Sequence, residues 1–246
     1  VEKAADLLRG GKLVAIPTET VYGLAANALD EQVVARIYEA KNRPAFDPLI
    51  LHLAHFEQVE QYVNNMPNWA KELAENFWPG PLTLVLPKRK NIPDLVTSGL
   101  PSVAVRIPQH PLTQKLLQQL EFPLAAPSAN PFGYISPTTA QHVSDQLGGK
   151  VDYILDGGAA TVGLESTIVG VEKGKPVILR KGGLALEEIE RVVGTFQVRE
   201  HSSSKPDAPG MLEKHYAPRV PFRLGNVEQL VSQNPSVKLG ALTFKE

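Results

Sequence analysis

Two cations stand two residues apart in "AKNRPAFDPLILHLA", Lys41 and Arg43, directly before Pro44, and His52 follows inside an otherwise apolar run. Proline disfavours helical geometry in the residue before it, so a helix should end at Arg43. In extended chain an i, i+2 pair points to one side, where two cations could grip a polyphosphate. The same pair could instead complement the helix dipole and remain solvated. Spacing alone leaves both readings open.

Further candidates stand at the exits of strand-like runs. In "APSANPFGYIS" (126–136), Ser128 and Asn130 offer a hydroxyl and an amide suited to phosphate, ribose or base edges, or to capping their own turn, with Ser136 at the end of the segment. Arg106 lies within the apolar "SVAVRIP", where an unpaired guanidinium is costly. It calls for a substrate carboxylate held bidentately or for a structural ion pair. "PTETVYGLAA" gathers Thr18, Glu19 and Thr20 before Tyr22-Gly23, read as a turn; "LESTIVG" presents Ser166 and Thr167, and "ILRKGG" presents Arg180. Loops at sheet ends are where such proteins commonly place ligand sites.

The elements that must position these groups can be sketched from periodicity. Helices are predicted over Val1–Leu8, from an N-cap at Asp30 to Arg43, and across His55–Val63, Asn68–Phe77, His110–Leu120 and Thr138–Leu147, with another in "LALEEIERVVG". Strands are predicted in "KLVAI", "PLILHLA", "LTLVLP", "SVAVRIP", "PLAAP", "VDYILD", "ESTIVGVE" and "PVILRKG". The mixture lacks strict alternation, so the expected fold class is α/β of the α+β type, a mixed twisted sheet flanked by helices. A catalytic domain is expected over 1–200. The Pro- and Ser-rich stretch 201–220 reads as a linker, and 221–246 as a helix and strand opening a smaller α/β domain. Because the chain stops in what reads as the middle of a fold, it is expected to be part of a longer protein.

Composition limits the chemistry. With 246 residues, 43% hydrophobic and 21% charged, the chain is an ordinary globular sequence. A net charge of −1 argues against a protein wrapped in nucleic acid, though a local basic groove stays open. Zero cysteines exclude disulfides, thiolate metal sites and a cysteine nucleophile, and fit a cytoplasmic location. No phosphate loop, dinucleotide fingerprint, zinc-protease helix or nucleophile elbow occurs, and no apolar run approaches a membrane span.

Taken in order, "PTETVYGL", "KNRP", "PLILH", "VAVRIP", "PSAN", "ESTIV", "ILRKGG" and "PGMLEKHYAP" resemble the YrdC/Sua family of threonylcarbamoyl-AMP synthases over about residues 1 to 200. The "HYAP" linker resembles that of the longer members, which add a C-terminal domain. The resemblance implies a YrdC-like fold and an enzyme joining L-threonine, bicarbonate and ATP, with Mg2+ accompanying ATP. The product passes to transferase proteins that modify adenosine 37 of tRNA.

By motif position the resemblance makes Lys41, Arg43, Ser128, Asn130, Ser136 and Arg180 nucleotide contacts, with Lys41 and Arg43 the catalytic cations. It makes Thr20, His52, Arg106 and Ser166 the threonine pocket, and Tyr216 a lid over the nucleotide. Family members usually carry Asn where this chain has Asp47, which puts a direct contact between Asp47 and ATP in doubt. Two other readings follow from related domains. One is an RNA-binding module with a basic concave face, or weak RNA binding beside catalysis. The other is a hydrogenase-maturation carbamoyl-adenylate enzyme, whose relatives carry cysteine zinc motifs that this chain lacks.

Overall fold

A computed structural model describes residues 1–199, 208–209, 223–236 and 238–242. The chain divides into two compact units, Val1–Tyr216 and Ala217–Glu246. Among the described residues, the first is a mixed α/β unit whose strands are β1 (Val14–Ile16), β2 (Gly23–Asn27), β3 (Ile50–His52), β4 (Leu82–Pro87), β5 (Ser102–Arg106), β6 (Leu124–Ala125), β7 (Tyr153–Ile154), β8 (Thr167–Glu172), β9 (Lys175–Arg180) and β10 (Gln197–Val198). They form one sheet in the order β10-β9-β8-β4-β5-β3-β6-β2-β1-β7, with parallel and antiparallel neighbours mixed.

Helices α1 (Glu2–Arg9), α2 (Glu31–Lys41), α3 (Asn68–Phe77), α4 (Asp94–Thr97), α5 (Pro111–Leu117), α6 (Ala140–Leu147) and α7 (Leu186–Val193) cover the sheet. The Asp30 carboxylate accepts the N–H groups of Gln32 and Val33 at the start of α2. Such a cap contributes about 1 kcal/mol. The same helix buries Val33, Val34, Ile37 and Tyr38, the spacing of a single face.

Strand alternation decides what each sheet face does. Leu51 of β3, Leu84 and Leu86 of β4, and Val103 and Val105 of β5 enter the main core with α2, α3 and α7. Their neighbours Ile50, Val85 and Ala104 point the other way, into a small cluster with Ile168, Leu179 and Ala208. His52 and Arg106 continue that second face, two residues beyond Ile50 and Ala104, and are register partners across the parallel pair β3–β5. A polar site is thereby built onto the face that the main core leaves free.

Three predicted elements differ. Gly23 of Tyr22-Gly23, read as a turn, begins β2, which pairs with both β1 and β6. Alanines have little intrinsic strand preference, so tertiary pairing makes this strand. The helix expected over His55–Val63 is a short 3₁₀ helix, Phe56–Gln61, which buries only Val59 and so lacks an apolar stripe. In the second unit the expected helix is present as α8 (Val227–Ser232), capped by Asn226, but the described residues 238–242 form no strand.

Candidate functional site

On the face of the sheet opposite the main core lies a cavity open to solvent. Its lining comes from the loop after β1 (Thr18, Thr20), from Arg43, from β3 and β5 (Ile50, His52, Arg106), from the turn after β6 (Ser128), from the strand ends of β8 and β9 (Glu165, Ser166, Arg180), and from Pro209. The structure therefore brings Thr20, Arg43, His52, Arg106, Ser128, Ser166 and Arg180 to one place. Lys41, Asn130 and Ser136 do not line it, and Tyr216 lies outside the described residues.

Lys41 is the last residue of α2, and Asn42 follows in the left-handed conformation (φ 50°). The chain thus turns between the two cations, where the sequence implied an extended pair. Neither is a solvated helix end. Lys41 is 1% exposed, and its ammonium donates to the carbonyls of Asn130 and, at 2.5 Å, of Ser128. Its own carbonyl accepts the Phe132 N–H. Lys41 thus closes the turn that presents Ser128, and burial with Arg43 nearby holds its pKa well below 10.5. Asn130 spends its amide on the carbonyls of Pro131 and Tyr134, and the Ser136 hydroxyl donates to Glu165.

The three cavity arginines are held differently. Arg43 donates through Nε to the Asp47 carbonyl and through Nη2 to the Pro48 carbonyl and, at 2.9 Å, to the Asp47 carboxylate. Asp47 is 1% exposed, and burial raises its pKa despite the guanidinium. The question its charge posed is answered by direction: Asp47 faces Arg43 and does not line the cavity. Arg106 makes the structural bridge that the sequence left open, with Nη2 2.5 Å from Glu19, and it lines the cavity as well. Nη1 of Arg43 and Nη1 of Arg106 make no hydrogen bond among the described residues, and each of these arginines reaches the cavity.

Arg180 donates through Nε and Nη2 to the Ser166 carbonyl and through Nη1 to the Pro209 carbonyl. Among the described residues no carboxylate pairs with it at salt-bridge distance. Desolvation lowers its pKa to about 10, so at neutral pH it keeps its charge. His52 is 3% exposed, and burial together with Arg106 pushes its pKa down to about 3. It enters the site as a neutral imidazole.

The hydroxyls are also set. Thr18 donates its proton to the Val21 carbonyl at 2.6 Å and lies 2.8 Å from the Thr20 hydroxyl. With the Thr18 proton spent, Thr20 is the donor in that pair and keeps its lone pairs for a ligand. Ser166 pairs with Thr83 at 2.7 Å and accepts from Arg180.

Thr18 and Glu19 stand with Thr20 in a candidate group but draw no role of their own from the sequence, and Glu165 is visible in "LESTIVG" without standing out, because polar residues at a strand exit have many ordinary uses. Pro209 opens the quoted "PGMLEKHYAP" motif but reads only as part of a linker, and spacing gives no sign that it reaches the cavity from so distant a stretch of chain. Among the described residues no group of three or more His, Cys, Asp or Glu side chains could hold a metal ion. No helix among them is long and apolar enough to cross a membrane.

The arrangement can bind anions, with three guanidinium groups, a neutral imidazole and oriented hydroxyls around one cavity. Comparison with known proteins agrees in fold and sequence. Residues 6–182 match the Sua5–YciO–YrdC family model, described as "Telomere recombination", and residues 184–246 match one described as "Threonylcarbamoyl-AMP synthase, C-terminal domain". A threonylcarbamoyl-AMP synthase of Pyrococcus abyssi is 50% identical over 240 residues, covering 96% of this chain and 68% of the relative. One of Bacillus subtilis is 44% identical over 257 residues, covering 100% of this chain and 74% of the relative. The crystal structure of P. abyssi Sua5 complexed with L-threonine superposes with a TM-score of 0.85 at 53% identity, over 88% of this chain and 65% of that one. These relatives are longer, and the chain spans about two thirds to three quarters of their length. With one family model matched across most of its length, the chain belongs to the Sua5–YciO–YrdC family and continues into the C-terminal domain of threonylcarbamoyl-AMP synthases.

Proposed function

We propose that this chain is an L-threonylcarbamoyladenylate synthase, a nucleotidyltransferase that forms threonylcarbamoyl-AMP and diphosphate from L-threonine, bicarbonate and ATP. The observation that carries it is the single cavity shared by Arg43, Arg106 and Arg180 with neutral His52 and the Thr20 and Ser166 hydroxyls. Relatives with this fold are named for the activity, and a related structure holds L-threonine.

The chemistry needs positioning and charge neutralisation more than a nucleophile from the protein. Threonine's amine and bicarbonate give a carbamate with loss of water. A carbamate oxygen then attacks the α-phosphorus of ATP, forming the mixed anhydride as the bond to diphosphate breaks. Arg106 binds the threonine carboxylate beside Thr20, His52 and Ser166, where a neutral imidazole adds no charge to the amine that must react. Arg43, Arg180 and Ser128 face the nucleotide. Lys41 and Asn130 support that half by holding the Ser128 turn, and Ser136 does so through Glu165. Mg2+ would enter with ATP as the MgATP substrate, held by phosphates and water and neutralising phosphate charge, with Glu165 the cavity carboxylate that could face it. Tyr216, outside the described residues, is assigned to the nucleotide half on its "HYAP" motif alone. The product would serve cytoplasmic threonylcarbamoyl transfer to tRNA adenosine 37.

Diphosphate release should require threonine, bicarbonate and ATP together. Release at the same rate without threonine contradicts the reading.

A further inference from the structure

Resting on that reading, we propose that Glu19 is a positioning residue for the threonine half of the site, acting through Arg106. Glu19 is 5% exposed and is not among the residues lining the cavity, while its partner Arg106 is. Its carboxylate faces two donors. Oε1 takes Nη2 of Arg106 at 2.5 Å, and Oε2 takes the backbone N–H of Gln109 at 3.0 Å. The rest of Glu19 is fixed too, its carbonyl accepting the Val162 N–H at 2.8 Å and the next carbonyl, of Thr20, accepting Gly163 at 3.0 Å. One side chain therefore ties the loop after β1 to the end of β5.

What remains of Arg106 shows why the anchor matters. Nε is held by the Gly80 carbonyl at 3.2 Å, so Glu19 is the sole described partner of Nη2. Both anchors lie on the Nε and Nη2 side, which leaves Nη1 for the cavity. Arg43 differs, because backbone carbonyls hold both its Nε and its Nη2 and would keep the guanidinium in place without Asp47. Arg106 has no such second hold on Nη2. Glu19 also offsets the Arg106 charge, which suits that arginine to a monoanionic carboxylate. Arg180, held by carbonyls and the Ser166 hydroxyl with no carboxylate at salt-bridge distance among the described residues, keeps its charge for the more highly charged phosphates.

The test is steady-state kinetics of the full chain carrying Glu19→Gln. The amide still accepts at one position, but it sets a donor against either Gln109 N–H or Arg106. The threonine KM should rise about tenfold while the ATP KM changes less than about twofold, the pattern of a misplaced carboxylate clamp. Because Glu19 acts only through Arg106, adding Glu19→Gln to Arg106→Ala should change the threonine KM by less than about twofold. Should Glu19→Gln fail to fold, Glu19→Asp keeps the charge balance and shortens the anchor, and its threonine KM should rise about fivefold with melting unchanged. An unchanged threonine KM, equal rises in both KM values, or a full effect in the Arg106→Ala background overturns the proposal. The unmodified chain is assayed alongside. If it releases no diphosphate in response to threonine, the proposed activity has failed, whatever Glu19 does.

Discussion

At the scale of single residues, the site depends on what burial does to charge. His52 titrates near 3 in the folded protein against an ordinary 6.5. As pH falls below about 6.5, the unfolded chain takes up a proton there and the folded chain does not, so folding is penalised across the window down to about 3. The loss is about 1.4 kcal/mol per pH unit inside that window and nothing above it. Urea unfolding at pH 7 and pH 5 should show the native chain losing about 1–2 kcal/mol more than a His52→Gln variant. Equal losses would mean that His52 is not held neutral. Residue types were legible in the sequence, but their partners were not. The pairs Arg43–Asp47 and Arg106–Glu19 are four and 87 residues apart, and only the first could have been guessed from spacing.

At the scale of elements, alternation was the readable signal. "PLILH" and "VAVRI" each send one set of side chains into the main core and the other toward the cavity, so His52 and Arg106 are predictable as partners once β3 and β5 are paired. The pairing itself was not readable, since β3 and β5 are parallel and separated by a 3₁₀ helix, two helices and β4. Helix α2 was legible from its cap and its apolar face, but its end was not, because Asn42 takes a left-handed turn where proline suggested extended chain. The strand ends that carry Ser166 and Arg180 are packed so closely that "RKGG" must be glycine there. A Cβ on Gly182 would lie 2.3 Å from the Glu165 carbonyl oxygen and 2.5 Å from the Ser166 carbonyl carbon. Gly182→Ala should destabilise the fold by about 2 kcal/mol and depress turnover, because relief requires moving Glu165 and Ser166. Thermal melting beside kcat checks this, and an unchanged melt with full activity would show that the two loops have slack.

At the scale of the whole molecule, the sheet carries the main core on one face and, on the other, a second apolar cluster under α1 and α5 beside the polar cavity, which a distant stretch of chain completes. Ala208 is fully buried in the small apolar cluster, and the neighbouring Pro209 carbonyl accepts from Arg180. Ending the chain after Lys205 should leave the sheet folded but lower kcat severalfold, because Arg180 loses that partner and the cavity loses part of its wall. Circular dichroism and kinetics on the shortened chain decide it, and unchanged kinetics would remove this stretch from the mechanism. The most direct test of the central claim is the identity of the product. With 13C-bicarbonate, threonine and MgATP, phosphorus NMR should show the AMP α-phosphorus coupled to a labelled carbonyl carbon, with diphosphate formed in equal amount. Formation of ADP, or of AMP without a labelled carbon attached, would contradict the account.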